Sequence, residues 1–220
     1  MLILALDTSG DVCSLALLED EKCLSAFSFR HERTLTERLP GALGFVLSDR
    51  KVALTAIEGI AVGLGPGSFT GVRVAVTMAK VWAMSLSVPL VGVSSLDAQA
   101  APFVPLETFA IASVVPARRS ESIVAFYAPG TTTPLAAPQV MLNADICAQL
   151  TDQFPNMLGL ICGENAFAIR DTTPLPGVRF IVQSLNAADI GRLAHSRFAS
   201  STFDDVDTLV PLYVAPTPVG

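Results

Sequence analysis

The chain has 220 residues, a formal net charge of −6, 51% hydrophobic residues and 15% charged residues. An average soluble domain carries about 25% charged residues, so the apolar fraction is unusually large. The acidic balance argues against nucleic-acid binding through a basic face of the chain's own and leaves open a local patch on a surface shared with a partner. No stretch of about 18 apolar residues is free of charge, which excludes an ordinary membrane span. The apolar excess therefore predicts either sheets buried on both faces or a surface covered by another chain.

The beginning of the chain predicts a β-hairpin, a further strand and a helix. Polar turns at 7–11 and 20–21 separate three apolar runs, which is the pattern of strands joined by short turns. A helix begins near Thr34, because Thr34 and Glu37 have the spacing of a capping box and leucines follow at helical intervals. The three predicted strands are residues 2–6, 12–18 and 23–29.

Buried strands then alternate with helices. A strand at 59–64 runs into a glycine-rich turn, which leads to a second apolar helix from about 71 to 86. Another strand is predicted at 89–93, and Ser95 can cap a short helix that extends through Ala100.

The second half of the chain repeats this order. An apolar run at 109–115, a polar turn at 116–120 and a return strand at 123–127 predict a second hairpin. The helices and strands predicted after it are at 144–153, 158–162, 178–182 and 187–199. Two halves with the same succession of elements indicate a duplicated α/β fold. The proline-containing end at 211–220 is expected to be extended.

The glycine-rich segment GLGPGSFTGVR, at residues 63–73, is the most distinctive local signal. It lies between a predicted strand and a predicted helix, where backbone amides at the helix start can hold an anion. It matches neither the Walker phosphate loop nor the GxGxxG dinucleotide fingerprint. The other interpretation is a tight turn whose glycines let the helix pack close to its strand.

The first hairpin turn contains Asp7, Thr8 and Ser9. A carboxylate at the end of a buried strand, with hydroxyl groups beside it, suits the handling of phosphate and magnesium in actin-like and sugar-kinase-like folds. The alternative is an Asx turn, in which Asp7 accepts hydrogen bonds from backbone amides. In the second hairpin turn, Arg118 and Arg119 predict either a clamp for phosphate or carboxylate or a solvated pair.

Patterns typical of a metal site or a nucleophile are missing from the sequence. The two histidines, His31 and His195, have no carboxylates at ligand spacing, and no serine lies in a GxSxG motif. The four cysteines form no CxxC pair, which predicts small core residues in a reducing compartment. No basic segment precedes the apolar start, so a secretory signal is not expected and the cytoplasm is the predicted location.

Several motifs together make the chain similar to a known family. The strongest are ILALDTSGDVCSLAL at 3–17, GLGPGSFTGVRVAV at 63–76 and VPLVGVSSLDAQA at 88–100. Weaker matches are ARRSE at 117–121 and VPLYV at 210–214. With these motifs the chain resembles the bacterial TsaB (YeaZ) family of glycoprotease-like ASKHA proteins, closely in its first half and loosely in its second.

The resemblance implies an α/β fold with two ASKHA (actin-like, RNase H-like) subdomains, each a mixed sheet with helices on its faces. Residues 1–103 would form the N-terminal subdomain with the partner-binding helices, and residues 104–220 a degenerate C-terminal subdomain. The implied function is that of a non-catalytic scaffold subunit. It would be required for the threonylcarbamoyl-adenosine modification of tRNAs that read ANN codons.

The resemblance also implies the partners. A TsaD-like catalytic subunit would form a heterodimer with this chain, and a TsaE-like ATPase would join the assembly. ATP and a divalent metal are expected on those partners, with no cofactor bound by this chain alone. The chain alone would be a homodimer, would contact tRNA at most indirectly and would not contact a membrane. The helices that begin near Thr34 and Gly71 would pack against equivalent helices of the partner, or of a second copy, which gives the apolar excess a destination.

The candidate site residues follow from the same resemblance. Candidate partner-binding residues are Thr34, Leu35, Arg38, Leu39, Gly65, Pro66, Gly67, Ser68, Phe69, Thr70, Gly71 and Arg73. Candidate nucleotide- or phosphate-binding residues are Asp7, Thr8, Ser9 and Arg118, and no catalytic residue or metal ligand is assigned. The alternative function is an ASKHA-type phosphotransferase or ATPase that uses Asp7.

Two positions depart from the family pattern. Pro116 stands where the family has an aspartate in the second hairpin, which removes a carboxylate suited to a second phosphate or metal contact and weakens the phosphotransferase alternative. Thr34 stands six residues before Pro40, where the family often has a histidine, while His31 lies one helical turn earlier.

Overall fold

A computed structural model describes residues 1–30 and 34–214, and contacts divide the chain into two units. The first unit contains Met1–Ser95 together with Leu185–Leu212, and the second contains Leu96–Ser184 with Tyr213 and Val214. Two predictions, the position of His31 and the extended end of the chain beyond residue 214, lie outside the described residues.

The first unit is built on strands and helices that follow the apolar runs of the sequence. Its strands are β1 (Leu2–Asp7), β2 (Val12–Glu19), β3 (Lys22–Arg30), β4 (Gly59–Gly63) and β5 (Leu90–Val93). The helices in this half of the chain are α1 (Leu35–Asp49), α2 (Phe69–Leu86) and α3 (Ser95–Ala100). Short 3-10 turns occur at Leu54–Ala56 and Ala101–Phe103.

The second half of the chain contains another set of five strands. These strands are β6 (Phe109–Pro116), β7 (Glu121–Tyr127), β8 (Gln139–Leu142), β9 (Leu158–Cys162) and β10 (Val178–Ile181). The helices are α4 (Asn143–Gln153), α5 (Ala166–Thr172) and α6 (Ala187–Ala199). In the part of the chain that the structure describes, no helix is long and apolar enough to cross a membrane.

The two sheets have the same topology. The strand order is β3-β2-β1-β4-β5 in the first sheet and β8-β7-β6-β9-β10 in the second. In each, the three strands that come first along the chain pair antiparallel, and the last two add parallel to them. In the first sheet, Leu4 of β1 lies opposite Leu17 of β2 and Ile60 of β4. The repeated order confirms the predicted duplicated α/β fold.

The central strands of the first sheet are buried on both faces. Every residue of β1 from Ile3 to Asp7 has no exposed surface. On one face, Leu4 and Leu6 share a hydrophobic core with buried residues of α1 and α2. Against the other face lies α6, whose Gly191 is so close to Leu18 that a Cβ atom would overlap the leucine side chain. Sheet burial is therefore one destination of the apolar excess.

Helix α6 lies on the first sheet although it follows the second sheet in the chain. It contacts β1, β2, β4 and β5, and the amide of Ala187 donates a hydrogen bond to Ser14 Oγ at 3.0 Å. The observed division therefore differs from the boundary predicted between residues 103 and 104. The physical reason is that the sheet face carrying Leu18 needs an apolar cover, which α6 supplies.

The segment after α6 runs along the outer edge of β5. The amide of Asp204 donates to the carbonyl of Leu90 at 2.9 Å, and the Asp204 carboxylate accepts from the amide of Gly92 at 2.7 Å. Two nitrogens of Arg197 donate to the same carboxylate, each at 3.0 Å. The Asp204 carboxylate thus satisfies a backbone amide that a further strand would otherwise have to pair.

Four local details differ from the sequence predictions. Helix α2 begins at Phe69 rather than near Gly71, and strand β8 and helix α5 were not predicted. The Thr34 side chain makes no capping hydrogen bond. With φ −106° and ψ 14°, Thr34 lies outside the extended region in which capping residues orient their hydroxyl toward the first turn.

Candidate functional site

The glycine-rich segment connects β4 to α2. Gly65 has φ +81°, a left-handed conformation that favours glycine, and its peptide bond to Pro66 is cis. Ser68 ends the loop and caps α2, because its Oγ accepts a hydrogen bond from the amide of Gly71 at 3.3 Å. We call residues 64–68 the glycine loop.

The glycine loop and its flanks pack directly on the first hairpin turn. A Cβ atom at Gly63 would overlap the carboxylate of Asp7. A Cβ at Gly67 would overlap the carbonyl of Ser9, and a Cβ at Gly71 that of Thr8. These glycines are therefore required by close approach to the turn at residues 7–9.

Asp7 is fully buried, and its carboxylate accepts three hydrogen bonds from other residues of the chain. Oδ1 accepts from the amide of Ser9 at 2.8 Å and from Ser9 Oγ at 2.7 Å, and Oδ2 accepts from Ser95 Oγ at 2.6 Å. Burial raises the pKa of Asp7, and the hydrogen bonds from Ser9 and Ser95 oppose that rise. This is the geometry of an Asx turn extended by one distant serine.

Ser95 ties the glycine loop to Asp7. Its amide donates to the carbonyl of Gly65 at 2.9 Å, and its Oγ accepts from the amide of Gly65 at 3.1 Å. Ser9 Oγ lies 3.1 Å from Ser95 Oγ. Ser95 thus forms hydrogen bonds with both the amide and the carbonyl of Gly65 and also donates one to Asp7.

The hairpin turn holds the start of α2 at two further points. The amide of Ser68 donates to the carbonyl of Ser9 at 2.6 Å, and Thr8 Oγ1 donates to the carbonyl of Gly71 at 2.6 Å. The hydroxyl groups of Thr8 and Ser9, the carbonyl of Ser9 and the carboxylate of Asp7 are therefore all engaged with the chain. The prediction that Asp7, Thr8 and Ser9 bind phosphate stays a prediction. In the structure these residues form hydrogen bonds that hold the hairpin turn, Ser95 and the start of α2 together.

Beyond the glycine loop, several side chains at the start of α2 are exposed to solvent. Phe69 is 58% exposed, and the guanidinium of Arg73 lies over its ring at 4.4 Å from the centroid. Beside this pair is a groove of about 330 Å³, which we call the α2 groove. The residues that line it are Thr36, Phe69, Thr70, Arg73, Val74, Thr77 and Met78.

The predicted partner-binding residues divide between surface and interior. Exposed members are Thr34, Arg38, Ser68, Phe69, Thr70 and Arg73, and Gly67 is partly exposed. Buried members are Leu35, Leu39, Gly65, Pro66 and Gly71. Leu35 and Leu39 are only 6% and 2% exposed and belong to the hydrophobic core, so their side chains are not on the surface that the prediction requires.

Other exposed residues were missed by the sequence reasoning. Val74, Thr77 and Met78 line the α2 groove, and Val81 and Met84 are exposed farther along the same helix. A spacing of four residues from Phe69 through Arg73 to Thr77 could have shown this face. The apolar members were missed because apolar residues of α2 lie both on its buried face and on its exposed face.

Arg118 and Arg119 lie in the second unit, in the exposed turn between β6 and β7. This turn is closed by the amide of Ala117, which donates to the carbonyl of Glu121 at 3.1 Å. Pro116, at the end of β6, is also exposed. The turn thus presents two guanidinium-bearing residues without a carboxylate at position 116.

Thiol and metal chemistry find little support in the described residues. Burial raises the pKa of Cys13 to about 12, that of Cys147 to about 11 and that of Cys162 to about 12, which makes these thiols poor nucleophiles. Within residues 1–30 and 34–214, no three His, Cys, Asp or Glu side chains are grouped so that they could hold a metal ion.

A comparison with known families matches residues 30–174, about two thirds of the chain, to the family described as "TsaD: tRNA N6-adenosine threonylcarbamoyltransferase". The chain is 39% identical over 101 residues to the tRNA threonylcarbamoyladenosine biosynthesis protein TsaB of Bacillus subtilis (strain 168), covering 46% of this chain and 44% of that protein. It is 38% identical over 96 residues to the protein of the same name from Escherichia coli (strain K12), covering 44% of this chain and 41% of that protein. The match thus spans less than half the length of either curated relative.

Among solved structures, the fold is similar to that of YeaZ from Pseudomonas aeruginosa. The TM-score is 0.79 at 24% sequence identity, over 97% of this chain and 99% of that chain. This likeness confirms the predicted α/β fold class, with two mixed sheets and helices on their faces.

Proposed function

The chain belongs to the TsaD/TsaB family, with TsaB (YeaZ) proteins among its relatives, and from this premise we propose that it takes part in tRNA threonylcarbamoyladenosine biosynthesis. In this proposal it is a non-catalytic subunit that forms a heterodimer with a TsaD-like catalytic subunit. The product is the threonylcarbamoyl-adenosine of tRNAs that read ANN codons.

The observation that carries this proposal is a contrast between two signature motifs, one with a buried acid and one with an exposed aromatic ring. The carboxylate of Asp7, the group that an ASKHA phosphotransferase would turn toward phosphate or magnesium, is fully buried and accepts three hydrogen bonds from the chain. Phe69, from the glycine-rich motif at 63–76, is 58% exposed. A pair of packed motifs that uses its acid for internal structure and exposes an aromatic ring is suited to docking rather than to phosphoryl transfer.

We assign the α2 groove and its rim to the TsaD-like partner. Phe69 and Met78 offer apolar surface, and burying one such side chain stabilises an association by about 1.5–3 kcal/mol. Arg73 lies over the Phe69 ring, and its exposed guanidinium suits an acidic group on the rim of the partner. Thr34, Arg38, Ser68 and Thr70 are the other predicted contacts that are exposed. Leu35 and Leu39 are left out because they are core residues.

The remaining parts of the proposal rest on this surface, on the charge and on the resemblance to the TsaB (YeaZ) family. In the absence of the partner, the same apolar surface would be covered by a second copy, which gives a homodimer. A TsaE-like ATPase joins the heterodimer, and ATP and the divalent metal are held by the partner subunits. With a net charge of −6, this chain contacts tRNA at most indirectly. Modification of tRNA places it in the cytoplasm.

The test is light scattering during size-exclusion chromatography, on the chain alone and mixed with the TsaD-like protein from the same cell. We expect a homodimer alone and a one-to-one heterodimer in the mixture. Phe69→Asp should lower the heterodimer affinity by roughly 30-fold or more, because a buried aromatic anchor typically contributes about 2 kcal/mol or more. An aspartate in the first turn of α2 is compatible with the helix, so the variant should fold.

The matched control is Phe167→Asp in the second unit. Phe167 is also in the first turn of a helix, is 43% exposed and has the guanidinium of Arg170 over its ring at 4.2 Å. This variant should keep wild-type affinity. A wild-type chain that does not bind the TsaD-like protein would refute the proposed function. Equal affinity for both variants and the wild type would refute the assigned surface.

A further inference from the structure

The backbone position of Phe69 is set by the residues on either side of it. Immediately before it, the amide of Ser68 donates to the carbonyl of Ser9 at 2.6 Å. Two residues after it, the carbonyl of Gly71 accepts from Thr8 Oγ1 at 2.6 Å. The exposed ring therefore projects from a backbone that is fastened to the first hairpin turn on both sides.

The preceding glycine loop is fastened through Ser95, and the direction of its hydroxyl hydrogen can be assigned. A serine hydroxyl has one hydrogen to donate and two lone pairs to accept with. Ser95 Oγ donates to Asp7 Oδ2 at 2.6 Å and accepts from the amide of Gly65 at 3.1 Å. Because the hydrogen goes to Asp7, the lone pairs are left for Gly65.

Asp7 determines that direction because an ionised carboxylate only accepts hydrogen bonds. Its oxygens take one hydrogen from Ser95 and two from Ser9. Burying a carboxylate is costly unless donors surround it, and here all its donors belong to residues that also hold the glycine loop or the start of α2. We call Asp7, Ser9 and Ser95 together the latch.

We propose that Asp7 is a positioning residue for partner binding, which acts through Ser9 and Ser95 to fix the glycine loop and so present Phe69 in its docking geometry. This inference rests on the proposed function, because the TsaD-like protein is the partner whose affinity it concerns. It assigns to Asp7 a role in recognition without contact to the partner, to nucleotide or to metal.

The latch predicts a different variant series from a phosphate or magnesium site. Asp7→Asn keeps the shape of the side chain and an oxygen for Ser9, and its amide can donate to Ser95 Oγ in place of the present bond. Asp7→Ala removes both carboxylate oxygens and with them all three hydrogen bonds. The latch therefore expects Asn to preserve binding and Ala to weaken it, whereas a metal-binding carboxylate would be lost equally in both.

The experiment measures the affinity of the full chain for the TsaD-like protein, together with amide hydrogen exchange in the unbound chain. Asp7→Ala and Ser95→Ala should each lower the affinity about tenfold or more and should speed exchange at the amides of Gly65 and Ser68. Asp7→Asn should stay within about threefold of the wild type. The control is Ser113→Ala, which removes a fully buried serine hydroxyl of the second unit that donates to Gln99 Oε1 at 2.8 Å.

The outcomes separate the two levels of the proposal. Two outcomes would refute the latch and leave the proposed function standing, provided that the wild type binds the TsaD-like protein. One is that Ser113→Ala binds as weakly as Ser95→Ala, and the other is that Asp7→Ala binds like the wild type. If Asp7→Asn is as weak as Asp7→Ala, positioning by hydrogen bonds is refuted. If the wild type does not bind the TsaD-like protein, the proposed function fails, and unchanged exchange at Gly65 in Ser95→Ala would refute the latch separately.

Discussion

The close packing of the glycine-rich segment predicts that one substitution, glycine to alanine, has opposite effects in two helices of the same unit. Gly71 lies in the first turn of α2, and a Cβ there would overlap the carbonyl of Thr8. Gly41 lies inside α1 on the exposed side, and a Cβ there would meet nothing within 4 Å. The pair therefore separates helix propensity from steric fit.

The magnitudes follow from these surroundings. Alanine is favoured over glycine inside a helix by up to about 1 kcal/mol, so Gly41→Ala should raise the free energy of unfolding by that amount. At Gly71 the same gain is opposed by overpacking of about 1–3 kcal/mol. The displaced bond from Thr8 Oγ1 adds about 1 kcal/mol. Gly71→Ala should therefore be less stable than the wild type by about 1–3 kcal/mol.

The measurement is thermal and urea unfolding of both variants beside the wild type, followed by circular dichroism. For a chain of this size, Tm moves by about 2–4 °C per kcal/mol, so the two variants should move in opposite directions by resolvable amounts. Gly71→Ala with wild-type or higher stability would refute the close packing of α2 on the hairpin turn. Loss of stability in Gly41→Ala would refute the open environment assigned to α1.

Three further predictions concern buried and partly buried groups. Burial raises the pKa of Asp7 above its ordinary value of 3.8, so the folded chain holds that proton more tightly. The difference in unfolding free energy between the wild type and Asp7→Asn should therefore shift against the wild type as the pH rises from 3.8 through the folded-state pKa. Urea titrations at several pH values measure this difference, and a value that does not change with pH would contradict the prediction. In native thiol-labelling kinetics, the partly exposed Cys23 should react first and the other three thiols only on unfolding; labelling of all four at one rate would count against their burial. Asp204→Ala should lower the unfolding free energy by about 1–3 kcal/mol, because the amide of Gly92 and the guanidinium of Arg197 both lose their hydrogen-bond acceptor. The control Asp171→Ala, from an exposed pair, should change it by less than about 0.5 kcal/mol, and similar effects in both would refute the assigned role of Asp204.

Most strands and helices could be predicted because their signals are local. The runs before Asp7 and Asp20, for example, end in polar turns, and each is a strand in the structure. Strand β8 escaped because it has only four residues, partly or fully exposed, and follows a proline-rich stretch. The capping role of Thr34 was not realised because spacing alone does not determine its backbone angles.

The candidate site was less predictable because its chemistry depends on contacts between distant residues. Asp7 and Ser95 are 88 positions apart, and no spacing rule shows that the serine donates to the carboxylate. Leu35 and Phe69 are both apolar residues near helix starts, yet one is core and the other exposed. Which side of an apolar helix faces inward is determined by the sheet it packs on, and this is a tertiary property.

We propose that this chain is an essential non-catalytic partner of the TsaD-like protein and acts through the surface around Phe69. The most direct test is tRNA threonylcarbamoylation reconstituted from the TsaD-like and TsaE-like proteins with their substrates, with and without this chain. We predict modification only when the chain is present, full activity with Asp7→Asn and almost none with Phe69→Asp. Full modification without the chain, or undiminished activity with Phe69→Asp, would contradict the claim.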